Sequence, residues 1–477
     1  MKFCPLVVDL DGTLIHTDML HESALCVLRD NPLQVLRIPY WLSQGKASLK
    51  RHLANLVDFD ASLLPYNLDL LEWLRDQKAS GRKLILCTAS DRSIAEAIAV
   101  HLGIFDDVIA SDGIINMAGR DKVLRLEQRF GRRGFDYAGN SQADIVVWQS
   151  ARKAIVVNAP ATLLKKVKSE LDVECVFPEK TFGLTAWRKV LRVHQWLKNL
   201  LLFVPLFAAH QFSNLQSWGG LILAFFAFSL CASCVYITND LLDLESDRQH
   251  PHKCKRPFAS GLVPAWKGTI LAPILLCISL IFAKNVSAAF CSWLLFYFVL
   301  TCAYSWGLKR LMLIDCLTLA LLYTLRIVAG AAAVGMLLSF WLLAFSVFLF
   351  LSLAYVKRYA ELQVQLLNGK QKVHGRGYYT SDASLVQILG VTSGYASVLV
   401  LALYLNSDVV LKLYKKPELV WGAVPVLLFW VSWMWMSAHR GEMHDDPLVF
   451  AVKDKASLFA GLLFAAVLAG STIGWTW

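Results

Sequence analysis

The chain has 477 residues and a formal net charge of +11; 56% of its residues are hydrophobic and its mean hydropathy is +0.48. That length allows two or more domains, and that hydropathy excludes a wholly soluble protein. Lys and Arg concentrate beside apolar runs, so the positive charge implies membrane topology and an anionic substrate, and no nucleic acid. Up to about residue 186 the chain has the composition of a charged globular domain, and beyond it apolar runs of about 20 residues recur. Met1 to Pro5 lacks the charged and apolar regions of a secretory signal. Eleven Cys are scattered. Cys231 and Cys234 have no second Cys or His pair nearby, so the sequence indicates packing residues, and no disulfide framework or zinc site.

In chain order, Val7–Asp9 ends a short apolar strand and Asp11, Gly12 and Thr13 turn the chain. Helical patterns fill residues from about 18 to 80. Further strands are predicted at Lys83–Cys87, Asp107–Ala110, Phe135–Ala138, Ala154–Asn158 and around Glu174–Phe177, with helical patterns such as Ser93–Leu102 between them. This alternation predicts an N-terminal α/β, Rossmann-like domain over residues 1–178, its parallel sheet covered on both faces. Residues 179–186 are a linker. Residues 187–477 predict an all-α polytopic membrane domain of about nine transmembrane helices. Its apolar segments fall near 194–211, 218–238, 264–283, 287–304, 313–335, 338–356, 384–405, 419–437 and 456–476, the first interrupted by Pro205. Loops after even-numbered segments collect Arg248, Lys253, Lys255, Arg256, Lys309, Arg310, Lys357, Arg358, Lys370, Lys372, Arg376, Arg440, Lys453 and Lys455. Opposite loops carry Lys284, Lys412, Lys415 and Lys416. The asymmetry predicts an integral inner (cytoplasmic) membrane protein with the N-terminal domain in the cytoplasm and, for an odd span count, Trp477 on the far side.

The second apolar segment runs into Asn239, Asp240, Asp243 and Asp247. The spacing i, i+3, i+7 predicts three carboxylates on one helix face. Each costs roughly 2.5–3.5 kcal/mol at membrane depth, so the cluster argues for a purpose. Carboxylates so placed suit Mg²⁺ bridged to substrate phosphates, with Lys253, Lys255 and Arg256 placed for the outer oxygens. The bland alternative is a membrane helix ending in a solvated charged loop.

In the N-terminal domain, Asp9 at a strand's end and Asp11 in a Gly-Thr turn suit aspartyl-phosphate chemistry. Asp9 attacks phosphorus; Asp11 protonates the leaving oxygen and then activates water. Motif and context resemble the haloacid dehalogenase (HAD) superfamily, whose first motif is DxDGT. The resemblance implies a phosphate-binding Thr88, a charge-neutralising Lys122, a helical cap over about 15–80, and Mg²⁺ on Asp9, Asp11, Asn140 and Asp144. Asn140 stands where that family places an Asp, which puts phosphatase turnover in doubt; a scaffold or regulatory domain is the alternative.

From Trp187 onward the chain resembles the UbiA superfamily of intramembrane prenyltransferases, in which the NDxxDxxxD motif binds Mg²⁺-diphosphate. Here that motif is Asn239, Asp240, Asp243 and Asp247. A second Asp-rich motif is missing; Val356–Leu362 stands in its place, with Lys357, Arg358 and Glu361. In this the chain is similar to the decaprenyl-phosphate phosphoribosyltransferase branch. The likeness extends to His194–Asn199, His250 with Pro251, Tyr304 and Ser305 with Lys309, Arg310 and Asp315, Arg326 with Gly330, Arg376 with Tyr378, and Asp445–Pro447 to Lys453 and Asp454. It implies 5-phosphoribosyl diphosphate (PRPP) as donor and a polyprenyl phosphate as acceptor. Lys198, Lys253, Arg256, Lys309, Lys357, Arg358, Glu361 and Arg376 are the candidate phosphate and substrate contacts; for the loop cations, membrane topology is the competing explanation. Arg326 lies within an apolar span, which favours a site or a buried pair. The rival activity moves a polyprenyl group from its diphosphate to an aromatic or other small acceptor. The sequence leaves the oligomeric state open.

Overall fold

The computed structural model describes residues 4–179, 183–211, 214–250, 252–372, 376–407, 414–443 and 446–473. Pro251, Lys412, Asp445 and Trp477, singled out above, lie outside the described residues. The chain divides into two compact units. One comprises Met1–Leu191 with Tyr236–Ala272; the other comprises Arg192–Val235 with Pro273–Trp477.

The first unit holds a six-stranded parallel sheet: β1 (Leu6–Val8), β2 (Leu84–Asp91), β3 (Asp107–Ser111), β4 (Asp136–Gly139), β5 (Ala154–Val157) and β6 (Val173–Phe177). The order is β3-β2-β1-β4-β5-β6. Leu6 and Val8 enter one apolar cluster with Leu84, Leu86 and Ile155, while Val7 enters another with Ile85, Tyr137 and Val156. Successive residues thus serve opposite faces, as the period of two demands, and both faces are covered. Between β1 and β2 lie α1 (Met19–Asp30), α2 (Ile38–Ser43), α3 (Lys46–Leu56) and α4 (Leu68–Ala79). Val27, Trp41, Leu49 and Leu53 give the first three a core of their own, whereas α4 packs Leu70, Leu71 and Leu74 onto the sheet.

Among the described residues eight helices are long and apolar enough to cross a bilayer, beginning with Leu215–Leu242 and Ala265–Val286 and ending with Lys455–Thr472. The remaining expected segment, 194–211, forms a 3₁₀ helix, Val193–Phe203, and a short α-helix, Val204–Ala208. Pro205, which has no N–H, stands at the start of that second helix rather than inside a longer one. Small residues let the second unit's helices approach closely. A Cβ on Gly330 would come within 2.0 Å of the Leu202 carbonyl oxygen, and one on Gly394 within 2.6 Å of Val431 Cγ1.

Candidate active sites

Because β1 lies between β2 and β4, the ends of these three strands meet although they are far apart in sequence. Asp9 follows β1 and donates its N–H to the Ala138 carbonyl at 3.0 Å. Gly12 takes φ +74°, and a Cβ there would lie 2.0 Å from Asn140 Nδ2, so glycine alone permits the turn carrying Asp11 to close against Asn140. Lys122, in the first turn of α5 (Arg120–Phe130), is buried and donates to Asp9 Oδ1 at 2.7 Å and to the Tyr137 hydroxyl at 2.9 Å. Tyr137 donates onward to Asp144 Oδ1 at 2.8 Å. The second oxygen of Asp144 accepts from the Asn140 and Ser141 amides at 3.1 and 2.9 Å and from Ser141 Oγ at 2.8 Å. Asp144 therefore anchors the Asn140 loop and, through Tyr137, Lys122.

Asp11 Oδ1 accepts from the Met19 amide at 2.8 Å, and Oδ2 from Ser90 Oγ at 2.7 Å and Thr88 Oγ1 at 3.5 Å. Burial pushes the Asp9 carboxyl up to about 6 against the pull of Lys122. Burial, helped by the charges of Asp18 and Asp9, pushes Asp11 up to about 7. Burial thus holds a proton on these carboxyls to a higher pH than in water, Asp11 more than Asp9, which has Lys122 beside it. Ser90 and Tyr137 are site residues that sequence reasoning missed. Ser90 could have been found: it lies two residues after Thr88 in β2, hence on the same strand face. Lys50, from α3, reaches the Ala89 carbonyl at 2.7 Å and Asn116 Oδ1 at 3.1 Å, a contact without a sequence signal.

The Asp-rich segment belongs to this same unit. Its helix kinks where an unbroken one was expected: Leu215–Leu242 ends, Asp243 takes φ −97° and ψ 14°, and Leu244–Gln249 follows. The Asp243 N–H nevertheless donates to the Asn239 carbonyl at 2.9 Å and the Asp247 N–H to the Asp243 carbonyl at 2.8 Å, which preserves the helical spacing. Asp240 and Asp247 are buried, Asn239 and Asp243 half-buried, and Lys253 exposed. Arg256 Nη1 bridges Asp240 Oδ1 at 3.0 Å and Asp247 Oδ2 at 2.6 Å. Two carboxylates thus share one guanidinium, and burial pushes the Asp247 carboxyl up against the opposing pull of Arg256. Among the described residues no three His, Cys, Asp or Glu side chains stand together as metal ligands.

The second unit gathers its candidates into two buried groups. In one, Asp446 accepts from Lys198 Nζ at 2.7 Å, from Lys357 Nζ at 3.4 Å, and from the Tyr323 hydroxyl at 3.0 and 3.1 Å. Although burial works to raise it, the two lysines hold the Asp446 carboxyl well below the usual carboxylate range. Arg326 lies beside this group, stacked 5.5 Å from the Tyr323 ring, and donates to Asn199 Oδ1 at 2.9 Å and to the Tyr297 hydroxyl at 3.1 Å. In the other group, Asp315 meets Arg358 Nη2 at 2.6 Å, Arg376 Nη1 at 3.6 Å and the Tyr378 hydroxyl at 2.7 Å. Arg358 also pairs with Glu361, and Arg376 donates to the Tyr304 hydroxyl at 2.8 Å. Lys309 is half-buried on the short 3₁₀ turn Leu308–Arg310. Asp446 and Asp315, the carboxylates at the two centres, were visible in the sequence only as pieces of the resemblance.

The family model of UbiA prenyltransferases matches residues 200–463, and that of haloacid dehalogenase-like hydrolases matches residues 6–147. The chain is 38% identical to the uncharacterized protein y4nM of Sinorhizobium fredii over 465 residues, 97% of this chain and 90% of that one. It is 37% identical to the nodulation protein NoeC of Azorhizobium caulinodans over 59% of this chain and 94% of that one. It is 32% identical to the decaprenyl-phosphate phosphoribosyltransferase of Mycolicibacterium smegmatis over 56% of this chain and 86% of that one. The parallel sheet, the eight apolar helices and these likenesses agree: this integral membrane protein belongs to the UbiA prenyltransferase family and carries an N-terminal haloacid dehalogenase-like hydrolase domain.

Proposed function

We propose that the protein transfers the 5-phosphoribosyl group of PRPP to a polyprenyl phosphate, releasing diphosphate, and that its hydrolase domain then removes the 5-phosphate. The observation that carries the first half is the pairing of buried Lys198 and half-buried Lys357 on a single buried carboxylate, Asp446. An acceptor that is itself a phosphate needs such cations, whereas an aromatic acceptor does not. The relative from Mycolicibacterium, a decaprenyl-phosphate phosphoribosyltransferase by name, supports the same reading.

The acceptor phosphate is already ionised at neutral pH, so no strong general base is required. Its oxygen bonds to the ribose anomeric carbon as the bond from that carbon to diphosphate breaks, and the diphosphate departs with the electron pair. Catalysis then comes mainly from holding anions in line against their repulsion. Lys198, Lys357, Arg358 and Arg376 are the proposed holders of phosphate, with Lys309, Arg326 and Glu361 as further substrate contacts and Lys253 and Arg256 at the diphosphate. Asp240, Asp243 and Asp247 would hold Mg²⁺ through carboxylate oxygens, the donors a hard cation takes, with Arg256 leaving Asp240 and Asp247 for the diphosphate. Mg²⁺ when bound neutralises charge on the departing diphosphate.

In the hydrolase domain, Asp9 attacks phosphorus, the ester P–O bond breaks, and Asp11 gives its proton to the leaving oxygen. Asp11, pushed up to about 7 by burial, suits that acid role. It next takes a proton from the water that releases inorganic phosphate and regenerates Asp9. Lys122 and Thr88 orient the phosphate. Asp9, Asp11 and the Asn140 amide would offer Mg²⁺ an all-oxygen donor set, which suits a hard cation, and Asp144 would assist by holding the Asn140 loop.

Both centres are proposed to face the cytoplasm, on the Lys and Arg asymmetry. The 3₁₀ helix Val193–Phe203 rises ~22 Å and Val204–Ala208 ~8 Å, together about the thickness of the hydrocarbon core. These short helices therefore supply the missing crossing.

The test is mass spectrometry of lipid products from the purified protein with PRPP, a polyprenyl phosphate and Mg²⁺, with Asp9→Asn alongside. A phosphoribosyl lipid accumulates in Asp9→Asn and becomes the ribosyl lipid in the wild type. The phosphorylated lipid in both refutes the phosphatase half. No lipid product in either, across several chain lengths, refutes the transfer and favours prenyl transfer from a diphosphate.

A further inference from the structure

The segment Tyr236–Ala272 folds in the same unit as the hydrolase domain, and specific contacts fix it there. Arg248 donates to the two Glu22 oxygens at 2.9 and 2.5 Å and, through Nε, to the Ala259 carbonyl at 3.1 Å. Arg29 Nη1 reaches Glu245 at 2.9 Å. Glu22 and Arg29 lie on cap helix α1, while Glu245 and Arg248 lie on Leu244–Gln249. Each helix offers one charge of each sign, so the two pairs define a single register. The Glu22–Arg248 pair is about nine-tenths buried, with side chains 10% and 8% exposed, which makes losing one partner costly.

The chain beyond Ala259 is fixed as well. Gly261, at φ +70°, sits against the loop after β1: a Cβ there would come within 2.6 Å of His16 Cβ and 3.1 Å of Pro65 Cβ. Four residues later the span Ala265–Val286 begins. Its first turn, with Pro264 and Trp266, forms one wall of a cavity of about 220 Å³ that is also lined by Asp11, Asp18, His21 and Asn140. The acid of the hydrolase centre therefore opens onto a tryptophan at the entry of a membrane helix.

We propose that this cavity is the leaving-group subsite of the hydrolase centre, and that the domain selects phosphomonoesters whose remainder is anchored in the membrane over free ones. This rests on the phosphatase reading above. The cavity is smaller than the roughly 300–1,000 Å³ that encloses a drug-sized ligand, so it admits the phosphate-bearing end and leaves the rest outside. A substrate with phosphorus at Asp9 and its ester oxygen at Asp11 lays that end against Trp266. Tryptophan is the side chain that favours the level of the lipid headgroups, and its ring packs against the C–H face of a sugar. Asp18 and His21, 3.2 Å apart, offer a carboxylate and an imidazole to sugar hydroxyls. The clamp through Arg248 keeps this wall in place.

The experiment uses the full-length protein in phosphatidylcholine vesicles with three probes: free ribose 5-phosphate, a synthetic farnesyl-phosphoryl ribose 5-phosphate, and phosphatidic acid. Phosphate release is read as kcat/KM, with Asp9→Asn as blank. The ratio of anchored to free sugar phosphate falls at least tenfold in Trp266→Ala and is largely restored in Trp266→Phe. It also falls in Arg248→Glu and recovers when Glu22→Arg is added, a pairing that carries the test where Trp266→Ala does not fold. A ratio unchanged within twofold in all variants overturns the inference. Hydrolysis of ribose 5-phosphate without hydrolysis of either lipid also overturns it, while leaving the phosphatase reading intact. Hydrolysis of phosphatidic acid but not the ribosyl lipid keeps the membrane-anchored class and removes the ribose assignment. Absence of Asp9-dependent release from every probe overturns both.

Discussion

Asp446 is the residue on which the second unit's cation cluster depends, and Asp446→Asn isolates its charge. Asparagine keeps the shape and still caps the helix Pro447–Lys453, where Asp446 now accepts from the Leu448 amide. Lys198 at 2.7 Å and Lys357 at 3.4 Å attract the carboxylate by about 6 and about 5 kcal/mol at an effective dielectric of about 20. Desolvation of buried Asp446 and Lys198, and solvent screening at the half-buried Lys357, offset most of that, so the cluster is worth far less than its gross attraction. Removing the anion alone leaves buried Lys198 and half-buried Lys357 facing each other; a fully buried pair so broken costs about 3–5 kcal/mol, and solvent at Lys357 lowers this to about 2–3 kcal/mol. The assay is reversible unfolding of the detergent-solubilised protein in a denaturing-detergent titration, comparing wild type, Asp446→Asn, and Asp446→Asn with Lys198→Met. The double variant recovers at least about 1 kcal/mol over the single, because only one cation then lacks its partner. Polyprenyl phosphate added to the single variant restores stability, since the lipid phosphate takes the vacated place. A loss under about 1 kcal/mol, or a double variant less stable than the single, refutes the reasoning.

Three further outcomes follow from the geometry. Asp240→Asn and Asp243→Asn each lower lipid transfer by at least about a hundredfold with normal insertion, measured as product by mass spectrometry; robust activity in either removes the diphosphate assignment. Asn140→Asp restores a charge beside Asp9 and Asp11, so the Mg²⁺ concentration for half-maximal phosphatase activity falls about three- to tenfold; a higher requirement shows that Asn140 is not at the metal. In metal chelator, stability falls as pH rises from about 4 to 7. Burial lifts Asp9 to about 6 and Asp11 to about 7, so the folded state binds more protons than the unfolded across that window. Thermal scans at pH 5 and 7.5 show the fall, and it is smaller in Asp9→Asn; a rise with pH contradicts the assigned burial.

The six strands, the helical cap and most of the apolar spans were legible in the sequence because they rest on local signals. A period of two with flanking helices marks a covered parallel strand, and a run of about 20 apolar residues marks a span. The first span was only half legible: Pro205 announces a break, but a 3₁₀ helix gives no distinct pattern in its apolar residues. The kink at Asp243 was not legible, since i, i+3, i+7 spacing is the same with or without it. The chemistry-bearing types also announced themselves, because a carboxylate or arginine in an apolar run is costly unless paired.

What the sequence by itself determined is the fold class of each half and the residues able to carry charge at each site. What only the tertiary structure decided is who meets whom. Asp446 lies 248 positions from Lys198 and 89 from Lys357, and Glu22 lies 226 from Arg248. No periodicity reaches across such distances. Pairing over that separation is set by which helices pack and in what register, a property of the assembled core rather than of any stretch of chain.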